Sequence, residues 1–161
     1  MNKKIFLAGV LLSLLFGFDS KASAIGEPSR YISRSEVIYA EPYKPEYSKE
    51  DIELLALVTM AEAEGESEEG KRLVIDTVLN RVDHGRFPDT ISDVIYQKGQ
   101  FSSMWNGRSN RCYVSDDIYK LVEEELESRT NTDVIFFHAG RYSDYGSPLF
   151  QVGNHYFSSY N

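Results

Sequence analysis

The feature that most constrains this chain is a pair of capped helices meeting at a short acidic turn. Ser48 with Asp51 three residues on resembles a capping box, with Asp as a shorter substitute for Glu. The helix that follows carries Leu55, Val58, Thr59 and Glu62 on one stripe and ends at Glu64-Gly65. Ser67 caps a second helix whose first turn holds Glu68 and Glu69, which suits the positive end of a helix dipole. Leu73, Val74, Thr77, Val78 and Val82 give that helix its buried side, and Gly85 is expected to stop it.

Downstream, Phe87-Pro88 forms a turn, and Thr90 with Asp93 caps a short helix ending near Tyr96. Residues 98–114 read as a loop with Gly99 and Gly107, in which Phe101, Trp105 and Tyr113 look exposed. Ser115 caps another helix through Ile118, Leu121, Val122 and Leu126. Val134–Phe137 reads as a strand. Leu149–Val152 and His155–Phe157 read as a second strand, interrupted at Gly153-Asn154. This is a helix-rich α+β domain with a small C-terminal antiparallel sheet.

The chain divides into residues 1–24, 25–47 and 48–161. The first part reads as a secretory signal: Lys3 and Lys4, an apolar run from Ile5 to Phe18, then Ala22-Ser23-Ala24. The run is short of the ~20 apolar residues of a membrane helix. Export across the cytoplasmic membrane, to the wall, periplasm or exterior, is therefore expected. Residues 25–47 hold three prolines and four tyrosines without a period and read as an extended arm. The net charge of −8 excludes a basic nucleic-acid face, so no nucleic-acid partner is expected. Cys112 is the lone cysteine, so no internal disulfide forms.

Glu62 is the most informative residue. A carboxyl on an apolar stripe at a helix exit is partly desolvated, which disfavours its ionised form and suits a general acid. The plainer reading has it capping the next helix or pairing with Arg72 or Arg81. Gln100-Phe101-Ser102 and Trp105 combine amide, hydroxyl and flat apolar faces, a set that suits sugars. His138, Asn154 and His155 lie near the C-terminal strands and would converge if those strands pair. Two histidines and a carboxylate would also suit a metal-dependent amidase or peptidase, although no HExxH spacing is present.

Together these segments resemble the spore-cortex-lytic (SleB-type) cell-wall hydrolases. The resemblance rests on Ala61-Glu62-Ala63-Glu64-Gly65-Glu66, Val78-Leu79-Asn80-Arg81-Val82, Arg86-Phe87-Pro88-Asp89-Thr90, Val94-Ile95-Tyr96, Gln100-Phe101-Ser102, Phe137-His138 and Gly153-Asn154-His155-Tyr156-Phe157, in family order. It implies a lysozyme-like fold related to lytic transglycosylases, with Glu62 as the catalytic acid. It implies that Glu66 is structural or substrate-orienting, and that Gln100, Phe101, Ser102 and Gly153–Phe157 line the cleft. His138, Asn154, His155 and Tyr156 are thus candidate substrate contacts. Glu64 stands where the family usually has a basic residue. The expected partner is peptidoglycan, met by a monomer without cofactor or metal. Hydrolysis would require a second carboxylate, for which Asp76, Asp83, Asp89 and Asp93 are available. A transglycosylase requires one. A non-catalytic wall-binding module is the remaining alternative.

Overall fold

The structure, a computed structural model, describes residues 47–161. The expected leader, and the expected arm apart from Tyr47, lie outside these residues. Tyr47 itself packs against the core.

Helix α1 (Lys49–Ala63) starts where its cap dictates. The Asp51 backbone N–H donates to Ser48 Oγ, and the Ser48 N–H donates to the Asp51 carboxylate, both at 3.1 Å. Helix α2 (Glu68–Asp83) starts at Ser67, whose Oγ accepts from the Gly70 N–H at 3.2 Å. It ends on an extended His84. Gly85 does not adopt a left-handed conformation, so the expected glycine stop is replaced by a simple change of backbone direction. Short helix α3 (Ile91–Ile95) has the expected Thr90 cap. Two single 3-10 turns, Ser102–Met104 and Ser109–Arg111, interrupt the following loop. Helix α4 (Asp116–Glu127) closes the helical layer.

Leu55, Val58, Ile75, Val78, Leu79, Ile95 and Val122 form the centre of the helical core. Every residue of α2 from Leu73 to Arg81 is buried, so the helix is covered on all sides. Its polar residues are therefore tied down. Asn80 Nδ2 donates to the carbonyls of Asn131 and Val134 at 3.0 and 2.9 Å, and Arg81 Nε donates to Ile135 O at 2.8 Å. The Asp76 carboxylate accepts from the Asn131 N–H at 2.8 Å. These bonds fix residues 131–135 along α2 and aim the chain into the sheet.

The sheet has three antiparallel strands in the order β1 (Phe136–Ala139), β3 (His155–Ser159), β2 (Ser147–Val152). Two expectations change here. The first strand begins two residues later than Val134, because Val134 and Ile135 are spent on the α2 contacts. The interrupted second strand is a hairpin of two strands turning at Gly153-Asn154, with Val152 opposite His155. Phe157, fully buried, packs with Leu73 and Val134 and fastens the sheet to α2.

Candidate active site

Glu62 is the penultimate residue of α1, one position short of its end, and is half-buried. It borders a cleft of about 500 Å³ whose walls come from five further places, one of them the loop with Ser143 and Tyr145. Loop residues Gln100, Phe101 and Ser102 form one wall; Phe137 and His138 of β1 and His155 of β3 form the other; Arg81 of α2 lies at the base. The sheet brings His138 and His155 to the same cleft, as pairing of the strands would require.

The closest polar contact of Glu62 is with Ser103, whose Oγ–H donates to Glu62 Oε1 at 2.5 Å. The sequence motif points to Ser102, but Ser102 is exposed and it is the buried Ser103 that reaches the carboxylate. The displacement follows from Phe101, which has φ +40° and is the one non-glycine residue with positive φ among those described. Such a conformation costs about 1 kcal/mol or more and persists only where the surroundings enforce it. Here Phe101 tucks into the core, against the expectation of exposure, and the chain turns beneath α1. Trp105 and Tyr113 are exposed as expected.

Neither arginine that offered a plainer explanation for Glu62 binds it. Arg72 donates to Glu68, Glu124 and Glu125. Arg81 is buried without a carboxylate partner among the described residues. Its guanidinium lies 5.2–5.6 Å from the ring centres of Phe87, Phe101 and Phe136. Aromatic faces and the Ile135 carbonyl thus meet its charge, while burial pushes its pKa down to about 10. Arg81 also donates to Gln100 Oε1 at 2.9 Å. That bond fixes the amide orientation, so the Gln100 NH₂ is the group left for a cleft occupant.

His155 is buried, and its Nδ1 has no partner among the described residues. Burial pushes the imidazole below its ordinary value, opposed by the charges of Glu66 and Glu62. His155 is therefore a neutral wall residue at neutral pH. His138 is exposed, and its Nδ1 lies 2.7 Å from the Ala139 carbonyl, a contact made with the proton on Nδ1.

Three expected substrate contacts lie away from the cleft lining. Glu66 accepts from the Asn154 backbone N–H at 3.2 Å and so holds the β2–β3 turn. A Cβ at Gly153 (φ +56°) would lie 1.8 Å from Glu66 Oε2, so glycine is required for this approach. Asn154 is exposed at the turn, and Tyr156 packs edge-on against Tyr142 with ring centres 5.0 Å apart. Glu64 sits at the surface, 3.5 Å from Arg108. Asp76 is buried on α2, Asp83 pairs with Arg129 at 2.6 Å, and Asp89 and Asp93 are exposed.

The Cell Wall Hydrolase family model matches residues 65–158, more than half of the chain. The chain belongs to the cell wall hydrolase family. Glu62 lies just before the matched stretch. A spore cortex-lytic enzyme of Oceanobacillus iheyensis is 40% identical over 62 residues, covering 38% of this chain and 22% of the relative. One from Bacillus subtilis is 34% identical over 62 residues, covering 38% and 20%. The chain thus spans about a fifth of the length of these curated relatives. Two solved structures share the fold. The catalytic domain of the germination-specific lytic transglycosylase SleB from Bacillus anthracis aligns at TM-score 0.61 and 24% identity, over 70% of this chain and 97% of that one. The Bacillus cereus SleB catalytic domain aligns at TM-score 0.64 and 23% identity, over 75% and 99%. The helix-rich α+β, lysozyme-like fold expected from the sequence is therefore the one observed.

Proposed function

We propose that this chain is an exported enzyme that cleaves peptidoglycan glycan strands by lytic transglycosylation, with Glu62 as the single acid/base. The observation that carries the reading is that Glu62 is the one carboxyl group lining the cleft among the described residues. None of the four aspartates available as a second acid reaches it. Hydrolysis by the usual two-carboxylate routes lacks its second group here, whereas transglycosylation needs one. Family membership supports an enzyme of the cell wall, and the naming of the Bacillus anthracis relative as a lytic transglycosylase supports transglycosylation.

In the proposed reaction Glu62 gives its proton to the glycosidic oxygen as the bond to the anomeric carbon of N-acetylmuramic acid breaks. The carboxylate left behind then takes the proton from the sugar's own 6-hydroxyl as that oxygen bonds to the anomeric carbon. The proton count balances, no water enters, and the product carries a 1,6-anhydro end. Ser103 orients Glu62. The Gln100 NH₂, Ser102 and His138 present polar groups to the sugar rims, and Phe101, Phe137 and His155 shape the wall. Mass spectrometry of fragments released from purified peptidoglycan tests the reaction. Fragments lighter by one water than reducing-end products are expected. Reducing ends would assign hydrolysis, and freed peptides would assign an amidase or peptidase.

A further inference from the structure

A second groove of about 520 Å³ lies beside the cleft, and the two share Gln100, Phe136 and Tyr145 as a common wall. Beyond that wall the groove is bordered by Arg86, Asp144 and Tyr160. The Arg86 guanidinium lies 5.8 Å from the centre of the Tyr160 ring. Among the described residues it has no carboxylate partner. Asp144, the one side-chain carboxylate among the described residues lining this groove, is already held by Arg141 at 2.8 and 3.3 Å. Buried Arg81, also without a carboxylate partner, stands behind Gln100 in the common wall. Arg86 is the one cationic side chain among the described residues lining this groove, and Tyr145 and Tyr160 stand beside it to receive aliphatic groups.

A linear glycan needs one groove. A strand whose muramic acid units carry peptide branches needs a side arm beside the scissile bond. Those branches are short and bear free carboxylates. We infer that the second groove takes the acidic peptide stem of the muramic acid unit, with Arg86 holding one of its carboxylates. This rests on the proposed cleavage of glycan strands. It adds that the enzyme prefers strands still carrying stems, and that Arg86 sets the preference. Arginine suits the task because its planar fork matches a carboxylate.

The test compares intact glycan strands with strands stripped of stems by an amidase, on wild-type protein and on Arg86→Ala and Arg86→Lys. One partly exposed arginine–carboxylate contact corresponds to about a tenfold change in KM. Wild type is expected to show a KM about tenfold lower on stem-bearing strands, Arg86→Ala to lose that ratio, and Arg86→Lys to keep part of it. Titration of the Glu62→Gln protein with a disaccharide tetrapeptide and with the bare disaccharide reads the same preference without turnover. Equal KM values for both strands in wild type would overturn the inference. So would a KM that rises equally on both strands in Arg86→Ala, since the arm would then hold sugar. Cleavage of stripped strands that Glu62→Gln abolishes keeps the parent reading standing in either case. Failure of wild type to cleave any strand removes both.

Discussion

Replacing Asp76 with Asn should flatten the dependence of stability on pH. Asp76 on α2 and Glu125 on α4 are buried together, at 0% and 1% exposure. Glu125 is held by the Arg72 guanidinium at 2.7 Å, the Thr130 N–H at 2.6 Å and the Thr130 hydroxyl at 2.8 Å, and its pKa lies below the ordinary value. Asp76 is pushed up to about 8, first by burial and then by its hydrogen bond and charge contact with Glu125. Asp76 Oδ1 has no hydrogen-bond partner among the described residues, and a proton held there would be shared with the neighbouring Glu125 carboxylate. The unfolded chain releases that proton near pH ~4. Between there and pH 8 the native state binds one proton more than the unfolded state. Stability therefore falls as pH rises, by at most about 1.4 kcal/mol per pH unit, and levels off above the folded value. Asn places an NH₂ on the Glu125 side and a carbonyl toward the Asn131 N–H, with no proton to lose. Urea denaturation of both proteins from about pH 5 to pH 8 should show Asp76→Asn gaining on wild type by up to that slope. Subtracting the two curves cancels His155, whose depressed pKa acts with the opposite sign by making stability rise with pH. Glu125, whose pKa is lowered, changes its charge below this window. A flat difference curve would refute the shared proton.

Other consequences are local. Gly153→Ala should destabilise the fold by about 2–3 kcal/mol, from positive φ and displaced Glu66. In a Glu66→Ala background the cost should shrink, a coupling that a double-mutant cycle measures. Ser103→Ala should lower kcat about tenfold with little change in KM, as loss of one hydrogen bond to a charged reacting group implies. Phe157→Ala should cost about 3–5 kcal/mol by leaving a cavity between sheet and α2, read in thermal or urea unfolding.

Local signals were legible in the sequence and long-range ones were less so. The caps at Ser48, Ser67 and Thr90 act within three residues, and the structure forms each of them. The stripe of Leu55, Val58 and Thr59 faces inward with Glu62 at its edge, because helical period alone fixes that arrangement. The start of β1 was misplaced because Val134 and Ile135 answer to Asn80 and Arg81, more than fifty residues away. Apolar residues that serve a helix contact and those that serve a strand look alike in sequence. The same holds for Phe101, whose burial depends on a left-handed turn that no local pattern announces in a phenylalanine. Ser103 was missed for that reason: its partner lies across the fold on α1. Resemblance supplied the Gly153–Phe157 segment. Geometry then separated its members, with His155 in the cleft wall, Asn154 bound to Glu66, and Tyr156 against Tyr142.

The most direct measurement pairs wild type with Glu62→Gln on purified peptidoglycan and analyses the soluble fragments by mass spectrometry. Wild type should release muropeptides ending in 1,6-anhydro-muramoyl units. The Gln variant, with an unchanged unfolding midpoint, should release almost none. Undiminished release by the folded variant would contradict the claim that the Glu62 carboxyl group does the chemistry.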